Sequence, residues 1–173
     1  MILSQGVSAV SIRSVAAEAG VVVGSLRHVL PTRTDLLVAS AERMIDVVTA
    51  RIRALPDAPP EQRALAVLAE VMPLDPLRRA ELEVNVALIA EGAAEPALVP
   101  IRDAAHAGMA AMCRGVVLAL AGDGADADGM RARRLHALVD GLSLQLLHAP
   151  EDAATDWALD VLRAELVALS AAR

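Results

Sequence analysis

Apolar residues recur at every third or fourth position along most of the chain. Their spacing predicts helices over about residues 11–19, 22–30, 34–55, 61–72, 76–92, 97–121, 130–148 and 152–171. Over 97–121 the recurring positions are Ile101, Ala105, Met109, Met112, Val116 and Leu120; over 130–148 they are Leu135, Leu138, Val139, Leu142 and Leu146. The last helix carries two stripes, Leu159, Leu162, Leu166 and Leu169 on one and Trp157, Val161, Ala164 and Ala168 on an adjoining one. Apolar coverage this wide calls for partners on more than one side. Leu55-Pro56-Asp57-Ala58-Pro59-Pro60 breaks the pattern, since each proline lacks a donor and disfavours helix before it. Residues 122–129, alternating Gly, Asp and Ala, read as a loop, and Pro73, Pro76, Pro96, Pro100 and Pro150 add weaker breaks. The expected fold class is all-α.

Composition narrows the function. The 173 residues are 55% hydrophobic, which excludes intrinsic disorder, yet there is no Tyr, no Phe and one Trp. A module that reads single-stranded nucleic acid by stacking bases on aromatic rings is therefore excluded. Net charge is −6, so a uniformly basic coat is excluded as well, and every basic residue is Arg. Residues 1–53 hold six arginines against four acidic residues, a net of +2, which leaves −8 for the rest. A mildly basic head on an acidic body is compatible with one end meeting phosphates. The lone Cys113 forms no intrachain disulfide and calls for no oxidising compartment. Mean hydropathy is +0.48, but charges are expected to interrupt every apolar run well short of the roughly 18 residues that span a bilayer. The segment MILSQG shows no basic region and no long apolar stretch of a signal peptide. A cytoplasmic protein with no membrane partner is expected.

The head carries the strongest motif. In SIRSVAAEAGVVVGSLRHVL, residues 11–30, Ser11 is a good N-cap for a short helix with Ile12, Val15, Ala16 and Ala19 on its apolar side. Gly20 is placed to end that helix in a left-handed conformation. Val21 then packs back, and a second short helix turns Leu26 and Val29 or Leu30 inward. Two short helices joined by a glycine turn make a helix-turn-helix, whose second helix enters the major groove. The small residues Val22, Val23, Gly24 and Ser25 at its start permit close approach.

The string Gly6, Ser11-Ile12-Arg13-Ser14-Val15-Ala16, Ala19-Gly20-Val21, Gly24-Ser25-Leu26, His28, Pro31-Thr32-Arg33, Asp35-Leu36-Leu37 resembles the N-terminal domain of the TetR family of transcriptional repressors. At motif level the resemblance covers about residues 3–45. Beyond it lie a long connecting helix and a body with Asp140-Gly141-Leu142 near its end, in the style of that family's dimer helices. Met72-Pro73-Leu74-Asp75 with Arg78-Arg79 is similar to one C-terminal subgroup of these regulators. The resemblance implies a DNA-binding domain over 1–45 and a helical ligand-binding and dimerisation domain over 46–173. It implies that Ser11 and Arg13 approach the DNA backbone and that Val22, Val23, Gly24 and Ser25 occupy the groove-facing part of the recognition helix. Arg27 and His28 then lie close to phosphates, and Arg33, at the start of the long helix, clamps one. Arginine suits that task because its fork bonds a phosphate bidentately.

Three departures accompany the resemblance. Val22 and Val23 stand where the family commonly has Ser and Lys, and Val29 and Leu30 where it usually has a Tyr-Phe pair. Only Ile2, Leu3, Ser4 and Gln5 remain to match the last turn of the family's first helix, so that helix is expected to be truncated. Ile12, Val15, Leu36 and Leu37 are then expected to have exposed flanks, with either a shortened chain or poor DNA affinity as the consequence.

In the body, Asn85, His106 and Gln145 are polar residues in apolar stretches; convergent polar groups in an apolar cavity would orient a small ligand. In the subgroup resemblance Asn85 and Leu88 replace positions often aromatic, which implies a roomier, more polar pocket. Met109 and Met112 complete the candidate ligand-binding set, with surface exposure as the alternative for Asn85, His106 and Gln145 and core packing for the methionines. His136 and Asp140, four apart, share a helical face as a metal pair would, but no third ligand stands at suitable spacing, so neither metal nor cofactor is expected. Glu81, Glu83 and Glu91 read as a solvated acidic face. No G-x-S-x-G, P-loop, GxGxxG, HExxH or CxxC occurs, and an apolar neighbourhood would leave Cys113 unactivated, so no enzyme is expected. The resulting expectation is a homodimer through residues 130–171 that binds double-stranded operator DNA and is released by a small-molecule effector. The alternative is a ligand-binding helical dimer that has lost operator binding.

Overall fold

The computed structural model describes residues 9–92, 94–122, 124 and 126–171. Those residues form helices and no strand: α1 (Ile12–Glu18), α2 (Val23–Val29), α3 (Arg33–Ala54), α4 (Pro60–Ala69), α5 (Pro76–Glu91), α6 (Val99–Ala121), α7 (Met130–His148) and α8 (Asp156–Ser170). A 3-10 turn, Pro96–Leu98, leads into α6. Residues 2–6 of the motif lie outside the described residues.

Local chemistry fixes most boundaries. Thr32 caps α3 in a reciprocal box with Asp35: the Asp35 N–H donates to Thr32 Oγ1 at 3.1 Å, and Asp35 Oδ2 accepts from the Thr32 N–H at 2.9 Å. Asp75 accepts from the Arg78 N–H at 2.9 Å to open α5, with Pro76 in its first turn. Arginine forks close helix ends. Arg63 donates to the carbonyls of Ile52 and Pro56 at 3.1 and 3.0 Å, and Arg79 to those of Leu146 and Ala149 at 3.1 Å each. A planar cation with several donors satisfies the orphan carbonyls and opposes the negative helix end at once.

Two helix ends differ from the sequence pattern. The fourth helix stops at Ala69 instead of 72. The N–H groups of Glu70, Val71 and Met72 bond three residues back, because Pro73 bars Met72 from helix while Arg78 and Arg51 take the Ala69 and Glu70 carbonyls. The last helix starts at Asp156 instead of 152, after a separate turn in which the Ala153 N–H donates to the Pro150 carbonyl at 3.0 Å.

Two cores result. The larger joins α4, α6, α7 and α8 through Leu68, Val117, Leu120, Leu135, Val139 and Leu162, all fully buried. The smaller lies between the first half of α3, α5 and the turn before α6: Leu37, Ala41, Val84, Leu88 and Leu98. Leu36 and Leu37 are thus buried at 4% and 1% exposure, so the exposed flanks expected for them do not arise, whereas Ile12 and Val15 remain part-exposed; α5 covers Leu37. One further expectation needs correction. Residues 96–121 are long and apolar enough to cross a membrane, with a mean hydropathy of 1.5 over 18 residues, because Arg114 is the lone charge in 104–121. In this fold that helix is the central wall of the larger core: Cys113, Val116, Val117 and Leu120 face inward, while Ala104, Ala107, Ala111 and Gly115 face outward.

Candidate nucleic-acid interface and regulatory body

At the head, Ser11 accepts from the Ser14 N–H at 3.1 Å and Ser14 Oγ accepts from the Ser11 N–H at 3.0 Å, which fixes the entry to α1. Its exit is a Schellman turn. Gly20 sits at φ +65, the Val21 N–H donates to the Ala16 carbonyl at 3.0 Å, and the Gly20 N–H to Ala17 at 3.3 Å. Only glycine takes that φ without strain. Val21 does not pack back as expected: its N–H closes the turn, but its side chain is 45% exposed.

α2 then presents an outward face. Val22, at its N-cap, and Val29 are 75% and 72% exposed, and Gly24, Ser25, Arg27 and His28 are exposed between them. Val23, Leu26 and Leu30 are half-buried, so Leu30 and not Val29 turns inward, and Val22 lies more open than Val23. Ser11, Ile12, Arg13, Arg27 and Arg33 line one open cleft, which gathers four of the nine DNA-contact candidates from three helices. Arg13 and Arg27 make no ion pair within the described residues.

Arg33 does. Its Nη2 donates to Glu91 Oε1 at 2.9 Å and its Nη1 to Glu91 Oε2, a fork closed on the last residue of α5. These hydrogen bonds hold the Glu91 carboxyl below, and the Arg33 guanidinium above, their ordinary ranges, with burial opposing both shifts. Eighteen residues on, Arg51 donates Nε to Glu70 Oε2 at 2.8 Å and its two terminal nitrogens to Glu81 at 2.6 and 2.7 Å. Arg78 adds a bond to Glu70 Oε1 at 3.1 Å. Glu81 and Glu91 are therefore not a solvated face: each binds an arginine of α3, at opposite ends of α5. Sequence reading missed both. The available signal was that Arg33 and Arg51 lie five helical turns apart on one side of α3.

The ligand-binding candidates do not converge. Leu88 is fully buried in the smaller core, Asn85 is half-buried one turn before it, and Met109 and Met112 pack on the larger core from α6. His106 and Gln145 are exposed; the His106 ring lies 5.0 Å from that of His136, whose Nε2 is 3.4 Å from Asp140 Oδ2. Among the described residues no group of three His, Cys, Asp or Glu could hold a metal ion. A concavity of about 40 Å³ lies between Leu74, Arg79, Leu146 and Pro150, far below the roughly 300 Å³ a drug-sized ligand needs, and none of the six candidates lines it. Cys113 is fully buried, and burial, with Asp140 nearby, pushes its thiol up to about 12. At pH 8 only about one thiol in ten thousand is then the reactive thiolate. A thiol reagent is expected to leave the native protein unlabelled and to modify it in denaturant; rapid labelling of the native chain would show that this core opens.

A helix-turn-helix beside an arginine-lined cleft, carried on a larger helical body, is the architecture of a transcriptional regulator. Comparison with known proteins agrees. Residues 60–171 match the C-terminal domain of BetI-type transcriptional repressors. The HTH-type transcriptional regulator PksA of Bacillus subtilis is 33% identical, over 87% of this chain and 75% of that protein. A transcriptional regulator from Rhodococcus has a similar structure at 25% identity, with a TM-score of 0.81 over 97% of this chain and 89% of its own. The multidrug binding protein EbrR, complexed with ethidium, is similar at 27% identity, with a TM-score of 0.66 over 95% and 91%. The chain belongs to the TetR family of transcriptional regulators.

Proposed function

We propose that the protein is a cytoplasmic homodimeric repressor, without catalytic activity, that leaves its operator when an apolar or amphipathic small molecule binds the body. Residues 1–45 act as the DNA-binding domain and 46–173 as the ligand-binding and dimerisation domain, the boundary falling inside the continuous α3. The observation that carries this reading is the gathering of Ser11, Arg13, Arg27 and Arg33 around one cleft beside the exposed face of α2. Val22, Val23, Gly24 and Ser25 meet base edges there, while the arginines and His28 meet phosphates.

The second copy is brought by α7 and α8. Trp157, Val161, Ala164 and Ala168 form an exposed stripe on α8, and Leu144 is 44% exposed on α7. Packed against the same surface of a partner, they complete a four-helix arrangement that sets two recognition helices about 34–36 Å apart. EbrR, whose structure holds ethidium, supports reading the body as effector-binding. This chain has no Phe or Tyr with which to stack a planar dye, which favours an aliphatic or amphipathic effector. Its entry parts α5 from α6 beside Asn85 and Leu88, at the smaller core. α3, 22 residues and about 33 Å long, carries the change to the head.

Fluorescence anisotropy of the 173-residue chain on the DNA upstream of its gene, across a salt series, tests the reading. Saturable, sequence-dependent binding that weakens with salt is expected. Arg27→Ala weakens binding to all sequences and lowers the salt slope by about one. A folded dimer that binds no DNA would overturn the repressor in favour of a ligand-binding dimer, a reading that the apolar Val22 in the groove-facing position favours.

A further inference from the structure

Arg33 faces two ways. It lines the cleft with Arg13 and Arg27, and its terminal nitrogens are both engaged by Glu91, which belongs to the body. Both side chains are partly open to solvent, at 40% and 36% exposure, so a competing anion can reach the pair. A phosphate oxygen pair and a carboxylate ask for the same fork of donors, and the two terminal nitrogens present one such fork at a time. Thr34, the next residue, lies 3.5 Å from Glu95 just beyond α5, so two neighbouring links join the start of α3 to the end of α5. By pairing with Arg33, Glu91 also cancels one of the three positive charges that line the cleft.

We propose that Glu91 is an internal competitor for the DNA phosphate at Arg33, so that operator binding and the position of the C-terminal end of α5 oppose each other at this contact. This rests on the DNA-binding reading above and adds the residue that couples the body to it. With the fork closed on Glu91, Arg33 offers a phosphate only its Nε edge, beside the repelling Glu91 carboxylate, and α5 is tied to α3. When phosphate takes the fork, the end of α5 is released. Coupling is reciprocal: an effector that draws α5 toward α3 strengthens the carboxylate's hold and weakens DNA binding, and DNA disfavours that position of α5. The Arg51 contacts with Glu70 and Glu81 keep the other end of α3 attached, which confines the exchange to the head.

The test compares the full-length chain with Glu91→Gln, Arg33→Ala and the double variant, by anisotropy across a salt series. The probes are duplex DNA from upstream of the gene and a random-sequence duplex at low salt. Glutamine keeps the shape of Glu91 and removes its charge. Glu91→Gln is expected to tighten binding to both duplexes by roughly two- to five-fold, the worth of a half-exposed ion pair. It should also steepen the salt slope by about one, as Arg33 gains a phosphate. In the Arg33→Ala background the same replacement should change affinity much less. Unchanged or weaker binding by Glu91→Gln, with the parent chain binding DNA, would overturn the competition and leave the DNA-binding reading intact. Equal tightening with and without Arg33 would reduce Glu91 to a general charge effect and overturn it as well. If the parent chain binds neither duplex, the DNA-binding reading itself fails, and this inference with it.

Discussion

Arg51→Ala is expected to lower the stability of the fold by about 3 kcal/mol, the lower end of what is lost when one partner is removed from a buried ion pair. Arg51 holds two carboxylates at once, Glu70 and Glu81, and its terminal nitrogen also reaches the Glu70 carbonyl at 3.1 Å. All three side chains are at least three-quarters buried, at 24%, 11% and 15% exposure. Without the guanidinium, Glu70 retains Arg78, whereas Glu81 is left with no cation and poor access to water. Glu81→Gln should cost less, because Arg51 keeps Glu70. Arg51→Met combined with Glu81→Met should recover much of the loss, since two apolar side chains leave no unpaired charge between them. Denaturant titrations check this: the midpoint should fall for Arg51→Ala with the slope unchanged, and the cycle with Glu81 should show a coupling above about 1 kcal/mol. A midpoint that does not move would mean the ion pairs merely decorate contacts already made by Leu37, Val84 and Leu88.

The same network marks the limit of what the chain reveals before it folds. Helical periodicity, Ser11 at a cap, Gly20 at a left-handed turn and the prolines place every described helix within a few residues, because each is a statement about neighbours in sequence. Arg33 and Glu91 are 58 positions apart, and neither periodicity nor local chemistry names one as the other's partner. Glu81 and Glu91 look solvated on a helical wheel, and become acceptors for arginines only once α3 lies alongside. The ligand-binding candidates fail to gather for the same reason. Leu88 and the methionines Met109 and Met112 belong to different cores, which sequence spacing does not distinguish. The head fared better because a helix-turn-helix is nearly local, and proximity in sequence brought Ser11, Arg13, Arg27 and Arg33 to one cleft. The smaller core and the ion pairs join α3 to α5 along much of their length. α5 is thus held to α3 by packed side chains rather than by a flexible linker.

Val161→Asp is expected to turn the proposed dimer into monomers and to reduce operator affinity at least a hundredfold. Val161 is 42% exposed in the middle of the α8 stripe, between Trp157 at 40% and the small side chains of Ala164 and Ala168, which allow close approach of a second helix. In the proposed two-fold arrangement each substitution appears twice, so two carboxylates are placed near one another in a desolvated apolar contact. The cost of an unpaired charge in such a site is several kcal/mol, enough to raise the dissociation constant of the dimer by a factor of about a thousand. Within one subunit little changes, because Leu162, Leu166 and Leu169 on the neighbouring stripe fill the core and Val161 does not. The monomer should therefore keep its helical content. DNA affinity should fall with it, since a single head meets one half-site and loses the gain from linking two. Sedimentation and anisotropy measured together decide the matter. A monomer that still binds DNA at full strength would show that one head suffices, and a variant that remains dimeric would move the interface away from α8.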